Sequence, residues 1–512
     1  MLTNSASMMG GTVSVVEGFT SLTDRIDDFA KARPGTPALI GPEEMLSWRD
    51  LQKRMDGWAH SLSEDPPPET VALLSTNTLD GLCAMLGILK VGAYVTLLPY
   101  HASDATIEVL LSDSGATVLV GDSDRLQALG HLHDVKTHSL GETISAMKAE
   151  PFESNPVINA NTLFNCAYSS GTTSKPKGIL QSHGLRNSQI LSGGIMGMGP
   201  GRVSILSTPL DSDTTIVGLV GALGNGSTVI LMERFSADGF CELVEMHGVT
   251  HTLMVPVQYE RILASDSFDN TDLSSLQLSL CTGAPLSVAT KIDLMDRWPG
   301  AFIEVYGLTE GGATTLLSLR DNPEKLSTVG RPFPGTDMRI IGDDDAELPV
   351  GEIGEIVGRD ANMMVGYTDA DAQSAIVWTS PDGLDFIRTG DLGAFDKDGF
   401  LTICGRKKDM LISGGYNIYP PDLETALSQH PAIFECAVIG RPDQRWGEVP
   451  VAYAGLRSNC DPSLLKQWVN ERLGKTQRIA DVRIIDSLPR NAGGKVDKNA
   501  LRIMEEGKLS DG

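Results

Sequence analysis

The chain has 512 residues, 41% of them hydrophobic, with seven cysteines and a formal net charge of −25. That length exceeds what one hydrophobic core serves and predicts two or more domains. The acidic balance argues against nucleic-acid and anionic-membrane binding, and no apolar run approaches the roughly 20 residues of a membrane span. Cysteines at 83, 166, 241, 281, 404, 436 and 460 form no C-x-x-C pair, so neither a disulfide frame nor a structural zinc site is expected. Residues 1–18 lack a basic-then-apolar leader, and a reducing cytoplasm fits this usage best.

In chain order, residues 21–62 read as an amphipathic helix, a short strand and a second helix around Trp48. An α/β alternation follows, with strands at 70–74 and 117–120 around a helix at 81–91. The apolar run 163–168 is a strand that feeds a Ser/Thr/Gly loop, the expected placement of a ligand loop in an α/β sheet. Further α/β units lie at 203–206, 217–223, 228–231, 240–247, 252–255 and 287–298. After Val329 the pattern changes to Gly, Pro and Asp around short β-like pieces at 338–341, 354–358 and 400–403, which predicts a small β-rich subdomain. A compact module begins at Lys408: helices at 422–428, 463–472 and 499–504, and strands at 433–439, 449–454 and 482–485. The boundary is placed after residue 407, giving domains 1–407 and 408–512.

The loop Tyr168-Ser-Ser-Gly-Thr-Thr-Ser-Lys-Pro-Lys-Gly178 combines hydroxyls, glycines and two lysines. Glycines let backbone N–H groups approach an anion, while Ser169, Ser170, Thr172, Thr173 and Lys177 add donors and charge around Gly171. The spacing is not that of a Walker loop. Tyr306-Gly-Leu-Thr-Glu310 supplies an aromatic to stack on a base, a hydroxyl in reach of phosphate and a carboxylate suited to Mg²⁺. Arg388-Thr-Gly-Asp391 offers a carboxylate after a glycine turn. Ser413-Gly-Gly-Tyr416 permits close backbone approach at Gly414 and Gly415, and Leu488 to Val496 carries Lys495 on a Gly-rich loop.

These elements, in this order across 168–496, resemble the signatures of the adenylate-forming superfamily of acyl-CoA synthetases, adenylation domains and luciferases. Flanking matches at 90–93, 329–335, 441–443 and 447–448 extend the resemblance over nearly the whole chain, which is most similar to stand-alone acyl-CoA ligases. It implies an α/β fold: a large N-terminal AMP-binding domain of two α/β subdomains plus a small β-barrel-like subdomain, then a small mobile α+β C-terminal domain. It implies ATP, Mg²⁺ and CoA, and activation of a small carboxylic acid as acyl-AMP before transfer to a thiol. The implied roles are β/γ-phosphate binding for 169–178, adenine contact for Tyr306 and for the Gly283-Ala284 turn, phosphate contact for Thr309 and metal binding for Glu310. Asp391 would bind ribose, Arg406 the nucleotide, and Lys495 the carboxylate and α-phosphate. Lys408 would be the hinge, Gly414 and Gly415 would line the pantetheine channel, and Gly283 and Gly307 would face the acyl group. No Ser-His-Asp set is required, so His183 needs no catalytic role. From Lys408 onward acidic and basic residues balance, which would tolerate CoA or an acidic carrier protein.

The chain departs from the family's Pro-Leu-aromatic-His element and reads Pro209-Leu-Asp-Ser-Asp213. Two readings are open. Ser212 and Asp213 cap the apolar stretch that follows, or Asp211 or Asp213 faces the acyl site and selects a cationic or hydroxylated acid. The runner-up to an acid:CoA ligase is an enzyme that loads an amino or other polar acid onto a carrier protein's pantetheine.

Overall fold

The computed structural model describes residues 19–63, 67–130, 132, 134–141, 143, 150–152, 157–168, 177–369, 376–414, 416–474, 477–490 and 496–510. It divides into two compact units, Met1–Met338 with Gly358–Ile387, and Arg339–Val357 with Arg388–Gly512.

The first unit holds two sheets. In the seven-stranded sheet the order is Gly366–Tyr367, Gly178–Ser182, Leu163–Tyr168, Tyr94–Leu97, Thr70–Leu74, Val118–Gly121 and Lys136–Ser139. The last five run parallel and the first two are antiparallel additions. The nine-stranded sheet is parallel from Pro37–Ile40 through Thr228–Leu231, Val203–Leu206, His251–Met254 and Leu278–Cys281 to Ala301–Tyr306. Antiparallel strands close both of its edges.

One hydrophobic layer joins the sheets. Helices Trp48–Leu62, Leu79–Lys90 and Asp213–Gly224 contribute Trp58, Leu82, Ile88, Leu219 and Leu223, which pack with Val71 and Leu73 of one sheet and Leu206 and Val229 of the other. Helix Leu79–Lys90 is buried along most of its length, which is why its sequence reads as a nearly unbroken apolar run rather than a stripe. Predicted and observed elements coincide closely here, with most ends displaced by no more than two residues; the 81–91 helix spans Leu79–Lys90 and the 117–120 strand spans Val118–Gly121, while the units expected at 217–223 and 240–247 are helices that begin earlier, at Asp213 and Ala237.

His183 opens helix His183–Ile195 and is 3% exposed, edge-on to Phe164 at 5.0 Å and to Phe19 at 6.3 Å. Burial favours the neutral ring and pulls its pKa down to about 4. The unfolded chain takes up this proton near pH 6.5 and the folded chain does not until about pH 4. Folding stability is therefore intact above pH 6.5 and falls through the window below it, by about 3 kcal/mol at pH 4. His183→Gln should flatten that slope in urea-unfolding curves taken from pH 7.5 to 4.5. An unchanged slope would show that the ring titrates normally.

After Val329 the chain contains the short strands that its Gly, Pro and Asp punctuation predicts, Asp337–Ile341, Gly354–Arg359 and Leu401–Arg406, together with Val377–Thr379 and the eleven-residue strand Asp385–Phe395, which the punctuation does not predict. In the second unit a further sheet places Gly447–Leu456 beside Ile433–Asp443, Leu411–Ser413 and, in parallel, Asp481–Ile484. Alternation along these strands sends Val438, Ala452 and Ala454 to one face, against Leu423, Leu427, Leu465 and Val469 of helices Pro420–Ser428 and Pro462–Asn470. Ala437, Ile439, Val451 and Tyr453 go to the other face, against Leu501 of helix Lys498–Ser510. Helices thus cover both faces of a small sheet. No helix among the described residues is long and apolar enough to cross a membrane.

Candidate active site

Residues Ser169, Ser170, Gly171, Thr172 and Thr173 lie outside the described residues, but both stems of their loop are defined. Tyr168 ends its strand with the hydroxyl donating to Asp113 Oδ2 at 2.7 Å. Burial, with Asp113 alongside, pushes that phenol well above its ordinary pKa. On the other stem, Gly178 N donates to Thr368 Oγ1 at 3.1 Å and Thr368 N returns a bond to Gly178 O at 2.8 Å. The Thr368 hydroxyl then donates to the same Asp113 oxygen at 2.9 Å. Asp113 therefore holds both ends of the loop. A Cβ on Gly178 would lie 2.6 Å from Cys166 Sγ and 2.7 Å from Thr368 Cγ2, so this glycine is required by space as well as by flexibility.

Glu310 follows the strand Ala301–Tyr306 and accepts a hydrogen bond on Oε1 from Tyr367 Oη at 2.8 Å. Burial and this carboxylate together raise the Tyr367 pKa, which keeps the phenol a donor. Tyr367 lies opposite Ile179 in the sheet, and the Lys177 ammonium stands 5.7 Å from its ring centroid. The turn is fixed from beneath as well: Met364 N donates to Glu310 O at 2.8 Å, and Gln181 Nε2 donates to Thr309 O at 2.8 Å. Gly311 has φ +74°, and a Cβ there would sit 1.7 Å from Asn362 O, so backbone packs directly on backbone. Lys177, Thr309 and Glu310 are thereby brought together by Tyr367 and Gln181, neither of which carries a local sequence signal.

Three candidate elements leave the C-terminal ends of adjacent or near-adjacent parallel strands, the edge of an α/β sheet at which ligands bind. Tyr306 to Glu310 follow Ala301–Tyr306, the turn with Gly283 and Ala284 follows Leu278–Cys281, and Pro209 to Asp213 follow Val203–Leu206. Gly283, Ala284 and Gly307 are exposed, and Tyr306, Thr309 and Glu310 are half-buried. Gly283 has φ +90°, and the Cβ position above it lies 3.4 Å from Val255 Cγ1 and 4.0 Å from Thr214 Oγ1. The start of helix Asp213–Gly224 therefore borders this turn.

Asp213 sits in the first helical turn, where a negative charge suits the helix dipole. Its Oδ1 is 2.7 Å from Nη2 of Arg186, whose side chain is 1% exposed. That charge is already met inside the protein. Ser212 occupies the N-cap position without a side-chain capping bond. Asp211 is half-buried, and burial raises its pKa against the opposing pull of its own backbone amide and of His101.

In the second unit, Asp391 and Arg406 lie directly opposite each other on antiparallel strands, with Arg406 Nε 2.8 Å from Asp391 Oδ1. Gly390 has φ +67° but lies within the continuous strand Asp385–Phe395, so the turn expected at the Thr-Gly-Asp triplet is a local kink in a strand, and Asp391 N donates to Thr389 Oγ1 at 3.0 Å. Asp391 is buried while Arg406 remains largely exposed. Lys408 occupies the single turn Lys407–Asp409, where burial lowers its pKa. Gly414 has φ +58°; its N–H donates to Trp446 O at 2.7 Å, and a Cβ would meet the indole at 2.7 Å. Gly415 and Lys495 lie outside the described residues. The base of the Lys495 loop is closed by the pairing of Arg490 with Val496 and by Asp497 N donating to Pro489 O at 2.7 Å.

Among the described residues no cluster of three or more His, Cys, Asp or Glu side chains forms a metal cage. Mg²⁺ in phosphate chemistry needs only one or two carboxylates, and a single hydrogen bond from Tyr367 leaves acceptor capacity on Glu310. The residues present fit that ion.

The chain matches the model of the AMP-binding enzyme family over residues 26–368 and that of the AMP-binding enzyme C-terminal domain over 422–495. It is 31% identical to the indoleacetate–CoA ligase of Aromatoleum aromaticum over 510 residues, covering 94% of this chain and 97% of the relative. It is also 31% identical to a feruloyl-CoA synthase from Amycolatopsis sp., over 92% of this chain and 96% of that one. Among solved structures, o-succinylbenzoate CoA synthetase from Bacillus subtilis, in complex with its acyl-adenylate intermediate, superposes with a TM-score of 0.83 at 29% identity, covering 93% of this chain and 97% of that one. With a family model spanning more than half its length, the chain belongs to the AMP-binding enzyme family.

Proposed function

We propose that this chain is an AMP-forming acid:CoA ligase, and that the residues singled out above divide its two half-reactions between them. The observation that carries this reading is the convergence of Lys177, Tyr367 and Glu310 at the stem of the phosphate loop. In the first half-reaction the acid's carboxylate attacks the α-phosphate of ATP, forming acyl-AMP and expelling pyrophosphate. In the second, the thiol of CoA attacks the acyl carbonyl and AMP leaves. The protein's contribution is positioning and charge neutralisation.

Ser169, Ser170, Gly171, Thr172, Thr173 and Lys177 hold the β- and γ-phosphates, Thr309 reaches phosphate, and Tyr306 lies against adenine beside Gly283 and Ala284. Mg²⁺, when bound, neutralises phosphate charge at Glu310. Asp391, held by Arg406, takes the ribose. Lys495 draws carboxylate and α-phosphate together. The functional boundary is Lys408, between domains 1–407 and 408–512, and rotation about it exchanges Lys495 for the pantetheine segment at Gly414 and Gly415.

Arg186 neutralises Asp213, so the carboxylate of this element left to face the acid beside Gly283 and Gly307 is Asp211. Indoleacetate, ferulate and o-succinylbenzoate, the acids in the relatives' names, share an aromatic ring, and an aryl acid is the substrate class proposed here. The setting proposed is the cytoplasm.

The test is ATP–pyrophosphate exchange with aryl, fatty and amino acids, followed by CoA and assay for thioester. Aryl acids should support exchange and yield thioester, and Asp211→Asn should shift the order of acids by about tenfold, the scale of one altered polar contact. Exchange without a CoA product would transfer the acceptor role to a carrier protein's pantetheine, and an unchanged acid order would remove Asp211 from the pocket.

A further inference from the structure

Beneath the Thr309–Glu310 turn lies a buried polar network that the catalytic scheme does not use. Arg186, Gln181 and Asn165 are each 1% exposed or less. The guanidinium donates through Nε and Nη2 to Asn165 Oδ1 at 3.2 and 2.9 Å, and through Nη1 to Gln189 Oε1 at 2.8 Å. Nη2 also bonds Gln181 Oε1 and pairs with Asp213. Asn165 Nδ2 donates to the same Gln181 oxygen at 2.9 Å. Two donors therefore face one side of the Gln181 carboxamide, which fixes its orientation; a flipped amide would set N–H against N–H. The other side can only be the NH₂ group, and it donates to Thr309 O at 2.8 Å.

We propose that Gln181 and Arg186 are positioning residues for ATP and Mg²⁺, holding the Thr309–Glu310 turn at its working height from below. The chain of contact starts at Asp213 in the first turn of its helix, passes through the Arg186 fork and the Gln181 amide, and ends on the peptide that precedes Glu310. Arg186 acts as a planar fork and not only as a charge, so lysine is not its equivalent. The inference rests on the ligase reading insofar as Thr309 and Glu310 serve the nucleotide.

Gln181→Met keeps the volume and removes the donor to Thr309 together with the acceptor that Asn165 and Arg186 share. Hydrogen–deuterium exchange should then rise about tenfold in peptides covering 306–312, and by less than about threefold over 163–168 and 183–195, whose strand and helix backbone bonds do not involve the Gln181 side chain. In pyrophosphate exchange the KM for Mg·ATP should rise about tenfold, with the KM for the acid within twofold of wild type. Arg186→Lys keeps the Asp213 pair but loses the fork, and should fall between wild type and Gln181→Met in both measurements. Unchanged exchange at 306–312, exchange raised across the whole unit, or a local rise with no change in the Mg·ATP KM would each overturn the proposal. A wild-type protein inactive with every acid would defeat the ligase reading, and the hydrogen-exchange arm would still decide whether Gln181 holds the turn.

Discussion

Lys495→Ala should lower ATP–pyrophosphate exchange by about 10²–10³-fold, the usual scale for losing one preorganised electrostatic group. The reason is the repulsion that adenylation must overcome. Two unit negative charges about 4 Å apart at an effective dielectric near 20 repel by about 4 kcal/mol, and the acid's carboxylate has to approach the α-phosphate to roughly that distance. A lysine between them turns the repulsion into two attractions. In the second half-reaction the nucleophile is a thiol and the acyl group is already attached, so this lysine has no pair of anions to join. Preformed acyl-AMP with CoA should therefore turn over within about threefold of wild type. The loop base makes the substitution a clean one: Arg490 Nη2 lies 2.5 Å from Glu435 Oε2, and Leu488 N donates to Glu435 Oε1 at 2.8 Å, so the segment stays tethered without the lysine. Equal losses in both half-reactions would assign Lys495 to general nucleotide binding, and full retention of exchange would remove it from adenylation.

The elements most legible in the sequence are those marked by local composition. Strand Ile433–Asp443 announces itself by the apolar run from Cys436 to Ile439, and strand Leu163–Tyr168 by an apolar run that ends in a loop dense in glycine and hydroxyls, while the returning strand Gly178–Ser182 is not among the predicted elements. Glycine demand is readable at Gly414, which makes a turn at positive φ, whereas Gly390 has a positive φ inside strand Asp385–Phe395 where its motif predicts a turn. Partners distant in sequence left no such trace. Asp113 and Thr368 meet although 255 residues separate them, and Tyr367 reaches Glu310 across 57. Asp213 shows the cost of local reading most directly. Seen alone it is a free carboxylate available to an ammonium group, or a helix cap. Its actual partner, Arg186, lies 27 residues upstream on another helix, where it reads as one more polar residue in an amphipathic turn. Gly311 is similar: the sequence marks it as flexible, whereas the reason for it is the Asn362 carbonyl against which no Cβ fits.

Lys291→Met should destabilise the first unit by about 3–5 kcal/mol, the range expected when one partner of a buried ion pair is removed. Lys291 and Glu304 are both almost fully buried and paired at 2.5 Å. The ammonium also donates to Leu326 O at 2.9 Å and Thr328 O at 3.0 Å, while Glu304 Oε1 accepts from Leu286 N at 3.3 Å. The pair thus ties the turn bearing Gly283 and Ala284 to the strand that ends in Tyr306. Burial already raises the Glu304 pKa, with Lys291 as the principal opposing influence. Without the lysine the carboxyl rises further, so the folded state binds a proton that the unfolded state has released. Stability of the variant should then recover as pH falls, with its deficit largest near pH 8 and smaller near pH 5. Lys291→Met/Glu304→Gln removes the stranded charge, keeps an acceptor for Leu286 N, and should restore more than half of the lost stability together with pyrophosphate exchange. Lys291→Met/Glu304→Leu should restore stability to a similar degree but not exchange, because the turn loses its tether. Equal exchange in the two double variants would show that the pair supports the fold alone, and a deficit independent of pH would show that Glu304 is not the group left charged.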